Sequence, residues 1–276
     1  MDTKYSVLMS IYIKEKPEYF VQSLESMVNQ TLMPDEIVIV KDGELTKELE
    51  EVIDMYKCKY PGLFNIVPLK KNVGLGRALD EGLKHSKNNL VARMDTDDIS
   101  LPNRCELQID QFNKNPELCI VGTMIDEFYD KPDNIISSRV VPTTNDAIYK
   151  FMKRRSPFNH PTVMYKKTEV IRCGGYGKMR RKQDLDLFSR MINNGCYAQN
   201  INQSLLLFRS NEDNFKRRKS WSYCKSYIDV QYEIWKRGHC SLSDLAFVTT
   251  GQLVMFLAPM GLLKKISNKY LRNNKI

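Results

Sequence analysis

The sequence predicts an α/β fold with a mostly parallel sheet flanked by helices, and three observations carry that prediction. Short β-branched apolar runs recur at Tyr5 to Tyr12, Glu36 to Val40, Leu63 to Leu69 and Asn89 to Met94. Between them lie stretches with apolar residues at helical spacing: Phe20, Leu24, Met27 and Val28 after Pro17, then Leu49, Val52 and Ile53 within Thr46 to Tyr56, then Leu75 to His85. Strands alternating with helices imply right-handed crossovers and therefore parallel pairing. The 276 residues, 42% of them apolar, suffice for one large core, and no repeat or low-complexity stretch divides the chain.

Beyond Pro102 the pattern changes. A helix to Asn115, with Leu107, Ile109 and Phe112 to pack, precedes an apolar strand from Cys119 to Phe128 that Pro132-Asp133-Asn134 ends. Ile135 to Val141 is expected to return beside it, followed by helices over Thr143 to Lys153 and Gln183 to Asn193 and a strand at Leu205 to Phe208. This half is therefore expected to be mixed, with antiparallel pieces. Trp221, Tyr223, Tyr227, Tyr232 and Trp235 recur at helical spacing, which favours a helix packed on the core over a sugar-stacking platform. Ala246 to Leu263 carries no charge, but Thr249-Thr250-Gly251-Gln252 and Pro259 argue against a membrane span. Two readings of this tail stay open: a helix in the membrane interface, flanked by Lys264, Lys265, Lys269, Arg272 and Lys275, or a buried helix that closes the core.

Composition narrows the function classes. The amino terminus lacks the basic segment and apolar core of a secretory signal, so the chain is expected in the cytosol. Seven cysteines, scattered and never spaced Cys-x-x-Cys, argue against a disulfide scaffold and a zinc site and are expected to be reduced and buried. The three histidines lie far apart, so a bound metal would rely on oxygen ligands. The net charge of +9 is concentrated at Lys153 to Arg155, Lys178 to Lys182, Lys216 to Lys219 and the last dozen residues, which suits an anionic membrane surface or a pyrophosphate-bearing substrate. No nucleic-acid motif accompanies it. The first strand lacks a dinucleotide glycine fingerprint, Gly74-Leu75-Gly76 has no third glycine at the required spacing, and no Gly-Lys-Ser/Thr loop is present.

The feature that points to chemistry is Asp95-Thr96-Asp97-Asp98, three carboxylates in four positions at the end of the fourth strand. Carboxylates this close repel one another, and a divalent cation bound through oxygen relieves the repulsion. Taken alone, the cluster reads equally well as a helix start, since Asp97, Asp98 and Ser100 are good caps ahead of Leu101-Pro102. Its position decides, because ligands of open α/β sheets gather at the carboxyl ends of strands. Asp42, in the turn Lys41-Asp42-Gly43, lies at another such end.

Five segments in order, Ser6 to Ser10, Glu36 to Gly43, Lys71 to Leu79, Ala92 to Asp98 and Gln183 to Phe188, resemble the family 2 glycosyltransferases, inverting enzymes of the GT-A fold. Asn159 to Met164 and Phe215 to Arg218 are similar to bacterial O-antigen and exopolysaccharide members. The resemblance implies a GT-A-like, Rossmann-like sheet with a nucleotide-sugar half over about 1–100, a mixed acceptor half over about 101–215, and a helical, basic extension over 216–276. It implies hexose transfer from a UDP-sugar to a lipid-linked glycan, on undecaprenyl diphosphate, at the inner face of the cytoplasmic membrane.

By the same resemblance Ser10, Asp42, Asn72, Arg77 and Asp95 bind the nucleotide-sugar, with Asp42 on the uracil N–H and Arg77 at the diphosphate. Asp95 and Asp97 form the Asp-x-Asp signature and hold Mn²⁺ or Mg²⁺. Asp184 is the expected base, preceded by Gln183 where the family often has Glu; read from local sequence alone, it is a helix N-cap. Asp186 is expected to pack or cap, and Asp98 and Arg93 to support the cluster. His160 is a candidate for the acceptor pocket, and Arg209 for the acceptor or the diphosphate. The alternatives are a sugar nucleotidyltransferase, which would show a basic Gly-rich loop after the first strand, and a non-catalytic glycan-binding protein, in which Asp184 is only a cap. A glycosidase would leave the acidic cluster unexplained.

Overall fold

The computed structural model describes residues 3–177, 179, 181–210 and 219–258. Phe215 to Arg218 and the basic residues from Lys264 onward lie outside them. Four strands, β1 (Tyr5–Ile11), β2 (Glu36–Lys41), β3 (Phe64–Pro68) and β4 (Leu90–Arg93), pair in parallel in the order β3-β2-β1-β4. The crossovers are α1 (Pro17–Val28), α2 (Lys47–Lys59) and α3 (Leu75–His85). Both faces of these strands are covered, so alternate residues enter different cores: Val7, Met9, Ile37 and Ile39 meet Phe20, Leu24, Leu49 and Ile53, while Leu8, Val38 and Val40 meet Leu79 and Leu83.

Helix α3 approaches the sheet closely because Gly82 has no side chain. A Cβ there would lie 2.3 Å from Leu8 Cδ1 and 2.7 Å from Val40 Cγ2. Gly82→Ala is therefore expected to destabilise by about 1–3 kcal/mol through overpacking, seen as a lower urea midpoint at unchanged slope. An unchanged midpoint would show that α3 can shift outward at no cost.

The second half is mixed, as its pattern predicts. After the short β5 (Ile99–Ser100) and α4 (Arg104–Lys114), the long β6 (Leu118–Phe128) is antiparallel to β7 (Ile135–Arg139) and β8 (Met164–Lys166), and parallel to β9 (Tyr197–Arg209). β8 joins this half to β4, and β5 pairs antiparallel with β9. Helices α5 (Asn145–Met152), α6 (Lys167–Arg172) and α7 (Gln183–Asn193) cover it, and α8 (Trp221–Lys236) adds Val230 and Ile234 to the core that α7 shares with α3.

Several expectations change on folding. The buried face of α4 is Arg104, Cys105, Gln108, Ile109 and Phe112, and Leu107 is only partly covered. Arg104 donates to the Pro161 carbonyl at 2.8 Å, and Gln108 to those of Val121 and Thr162, both at 2.8 Å, so these polar side chains satisfy backbone acceptors that helical spacing does not reveal. The helix begins at Arg104 after Asn103, so neither Asp97 nor Asp98 caps it. All seven cysteines are free, but Cys58 is exposed. Tyr227 and Trp235 pack on the core, whereas Trp221 and Tyr232 are exposed. In the tail, α9 (Leu242–Leu257) buries only Asp244, Val248 and Gln252 and turns Phe247, Val254 and Leu257 outward. A buried core-closing helix does not describe it. No described helix is long and apolar enough to cross a membrane.

Candidate active site

The apolar β4 delivers the acidic loop and fixes its start. Arg93 is buried, and its Nη2 donates to Asp95 Oδ1, while its Nε and Nη1 have no hydrogen-bond partner among the described residues. The Asp95 carbonyl accepts from Ser23 of α1 at 2.7 Å. Asp98 is fully buried and accepts the Arg209 N–H at 2.9 Å, so it ties the loop to β9. Arg209 completes the tie: its Nε donates to the Asp97 carbonyl at 2.8 Å and its Nη2 to Gln22, with the guanidinium between Tyr19 and Phe128, 3.9 and 4.6 Å from their ring centroids. It is a clamp on the acidic loop, and reaching a ligand would mean opening that clamp.

One oxygen from each of Asp95, Asp97 and Asp98 lies within 4.8 Å of the others. Burial, then the Asp95 and Glu15 carboxylates, push Asp97 up to about 7, and burial and Asp97 push Asp98 well above the usual carboxylate range. This is the strain that an oxygen-bound divalent cation relieves, so the residues present fit Mn²⁺ or Mg²⁺. Glu15, on the loop after β1, accepts from Thr96 Oγ1 at 2.5 Å. Only the fold brings this fourth carboxylate to the loop.

Across the sheet, Asp42 follows directly on β2 and organises the loop opposite. Its carboxylate accepts from the N–H groups of Val73 at 2.6 Å and Gly74 at 3.0 Å and from Asn72 Nδ2 at 3.0 Å. Gly43, at φ +93°, allows this approach, because a Cβ there would stand 2.8 Å from the Asn72 nitrogen. Asn72 and the exposed Arg77 line a cavity of about 410 Å³ with Lys71, Val73 and Gly74. Ser10 lies near the carboxyl end of β1 beside Val40, partly exposed.

A second cavity, of about 440 Å³, holds Asp95, Asp184 and His160 in one wall system. The N-cap position of α7 is Lys182, in the left-handed region at φ 59°, and Asp184 stands at the second helical position without capping anything. Its carboxylate accepts no hydrogen bond among the described residues. Asp186, two positions on, is neither free nor a cap: it is buried and ion-paired to Arg190 at 2.9 Å and to Arg237, the residue after α8. Arg190 also holds the Gly175 carbonyl at 2.6 Å, so this node locks the start of α7. His160 bonds Tyr176 Oη through Nε2 at 2.9 Å, and burial and Arg93 keep the imidazole neutral by pushing its pKa well below the usual range. The same cavity is lined by Arg154, Arg155 and Lys182, from the basic runs seen in the sequence, and by Tyr223 of the aromatic series, together with Glu127 and Arg139, which no sequence signal singled out.

A Rossmann-like sheet whose fourth strand ends in a carboxylate loop beside an open cavity is the architecture of the GT-A transferases. The chain belongs to glycosyl transferase family 2, whose pattern its residues 6–188 match. It is 37% identical over 269 residues, 98% of this chain and 97% of the relative, to an Escherichia coli UDP-Gal:α-D-GlcNAc-diphosphoundecaprenol β-1,3-galactosyltransferase. It is 39% identical over 226 residues, 82% of this chain and 84% of the relative, to the amylovoran biosynthesis glycosyltransferase AmsE of Erwinia amylovora. Among solved structures, the mannosyltransferase PcManGT of Pyrobaculum calidifontis with GDP-Man and Mn²⁺ superposes with a TM-score of 0.64 at 14% identity, covering 96% of this chain and 75% of that one. S. aureus TarS 1-349 with UDP gives 0.62 at 14% identity, over 96% and 78%. The expected family and fold are both borne out.

Proposed function

We propose that this chain transfers a hexose from a UDP-sugar, with inversion, to a sugar carried on undecaprenyl diphosphate in O-antigen, capsule or exopolysaccharide synthesis. The observation that carries the reading is the Asp184 carboxylate, without a hydrogen bond among the described residues, facing the same cavity as Asp95. The similarity to the E. coli galactosyltransferase supports the donor and acceptor classes. In the transfer, the acceptor hydroxyl gives its proton to Asp184 while its oxygen bonds the anomeric carbon, and the bond from that carbon to the UDP oxygen breaks on the opposite face. The bound cation, held by Asp95 and Asp97, would stabilise the charge on the departing UDP. Asp42, the proposed partner of the uracil N–H, also holds the Asn72–Gly74 loop through its carboxylate, leaving Arg77 available to the diphosphate. Neutral His160, fixed by Tyr176, lines the acceptor side and can exchange a hydrogen bond there without competing for the proton. Incubation with a panel of UDP-sugars and sugar-diphosphate-lipid acceptors, read by mass spectrometry, tests the reading; transfer to none of them would overturn it.

A lipid-borne acceptor would be met at a membrane surface, and α9 suits that position. Phe247, Val254 and Leu257 are 62%, 51% and 74% exposed, more than a solvated helix needs to show. Replacing all three with serine is expected to reduce sedimentation with anionic vesicles by about tenfold or more, with UDP affinity unchanged. Undiminished sedimentation would remove α9 from the membrane contact.

A further inference from the structure

The cavity that holds Asp95 and Asp184 has a basic wall that the transfer step leaves unused. Arg139 at the end of β7, Arg155 in the turn after α5 and Lys182 before α7 come from three separate elements and line this cavity together with Tyr223 and Tyr227. Lys182 lies 4.4 and 4.6 Å from the ring centroids of Tyr223 and Tyr227 and donates to the Tyr223 hydroxyl. Arg154 flanks the group, ion-paired to Asp244 at 2.6 Å and packed over Phe247 at 4.6 Å. Phe247, Val248 and Met255 of α9 give the same cavity an apolar side.

Cations gathered beside phenol hydroxyls and next to an apolar surface match a ligand that is anionic at one point and hydrocarbon immediately beyond it. A diphosphate esterified to a prenyl chain has that form. In the function proposed above, the donor's diphosphate is assigned to the acidic loop, whose Asp95 lines this same cavity, and to Arg77.

We propose that Arg139, Arg155 and Lys182, with the hydroxyls of Tyr223 and Tyr227, bind the diphosphate of the lipid-linked acceptor, and that Phe247, Val248 and Met255 carry the first isoprene units toward the exposed face of α9. The proposal rests on the acceptor class assigned above and adds the residues that read it. Guanidinium groups bond phosphate oxygens in pairs, so the site selects a diphosphate over a monophosphate. Bound there, the diphosphate sets how deeply the acceptor sugar reaches toward Asp184, which makes these residues selective for acceptor and indifferent to donor.

The test uses the full chain and three probes in calorimetry: farnesyl diphosphate, farnesyl monophosphate and inorganic pyrophosphate, with UDP plus Mn²⁺ measured in parallel. Arg139→Gln, Arg155→Gln and Lys182→Gln should each weaken farnesyl diphosphate by about tenfold or more, the usual effect of one charge-assisted contact. UDP affinity and the melting temperature should stay unchanged, and the monophosphate and pyrophosphate should bind more weakly than farnesyl diphosphate. Equal weakening of UDP would assign the wall to the donor and overturn the proposal. Unchanged farnesyl diphosphate binding in all three variants, or pyrophosphate binding as tightly as the prenyl ester, would overturn it too. If the unmodified chain fails to bind UDP at all, the donor reading falls, while the farnesyl diphosphate series still decides the wall.

Discussion

Asp184→Asn is expected to slow sugar transfer by about two to four orders of magnitude, the range for loss of a general base, with UDP binding and thermal stability nearly unchanged. The asparagine has the same shape but cannot take the acceptor's proton. The structure makes this a clean experiment, because the carboxylate caps no helix and accepts no hydrogen bond among the described residues. What folding loses is an anion in the first turn of α7, worth about 0.3–1 kcal/mol. Single-turnover transfer followed by mass spectrometry gives the rate, and a melting curve gives the stability. A protein that melts early yet transfers sugar at the original rate would assign Asp184 a structural role.

The second large effect is expected at Asp97. Without a bound cation, burial and the neighbouring carboxylates push Asp97 up to about 7 in the folded chain, above the ordinary carboxylate value of 3.8. The unfolded chain then binds fewer protons than the folded one between those values, so the metal-free protein loses stability as pH rises from about 4 through about 7. Asp97→Asn removes that loss and removes a ligand as well. The variant should be no less stable than the original chain at neutral pH when metal is absent. It should also show no rise in melting temperature on adding Mn²⁺, and transfer at least about a hundredfold more slowly, since a Lewis acid at the leaving oxygen contributes several kcal/mol. Calorimetry with UDP checks the same point: affinity should depend on Mn²⁺ or Mg²⁺ in the original chain and fall with chelator. Equal UDP affinity in chelator would take the cation out of the mechanism.

The first half of the fold was legible because each of its strands is a short, largely apolar run and each of its helices has a one-sided pattern. Residues that end such strands, Asp42 and Asp95 to Asp98, could be placed at the ligand edge for that reason. β5 and β8, of two and three residues, are too short to show any period, and they are the strands that join the halves. Arg104 and Gln108 were hidden because they are buried by backbone carbonyls that only the folded chain brings near. α9 defeats a polarity argument altogether, burying Asp244 and Gln252 while exposing Phe247 and Leu257. At the site, Asp184 stood out by resemblance, but its freedom from capping depends on the left-handed Lys182 before it. Glu15 and the wall of Arg139, Arg155 and Lys182 converge from segments far apart in sequence, and no spacing rule collects them. Arg209 was visible as a basic residue after a strand, yet its partners, the Asp97 carbonyl and Gln22, show it gripping the loop.

The most direct test of the account is the anomeric configuration of the product, read by NMR from the proton coupling of the newly attached sugar. One base and one displacement invert the centre, so an α-linked UDP-glucose or UDP-galactose donor should give a β-linked product. An α-linked product would contradict the single displacement driven by Asp184, even with transfer itself confirmed.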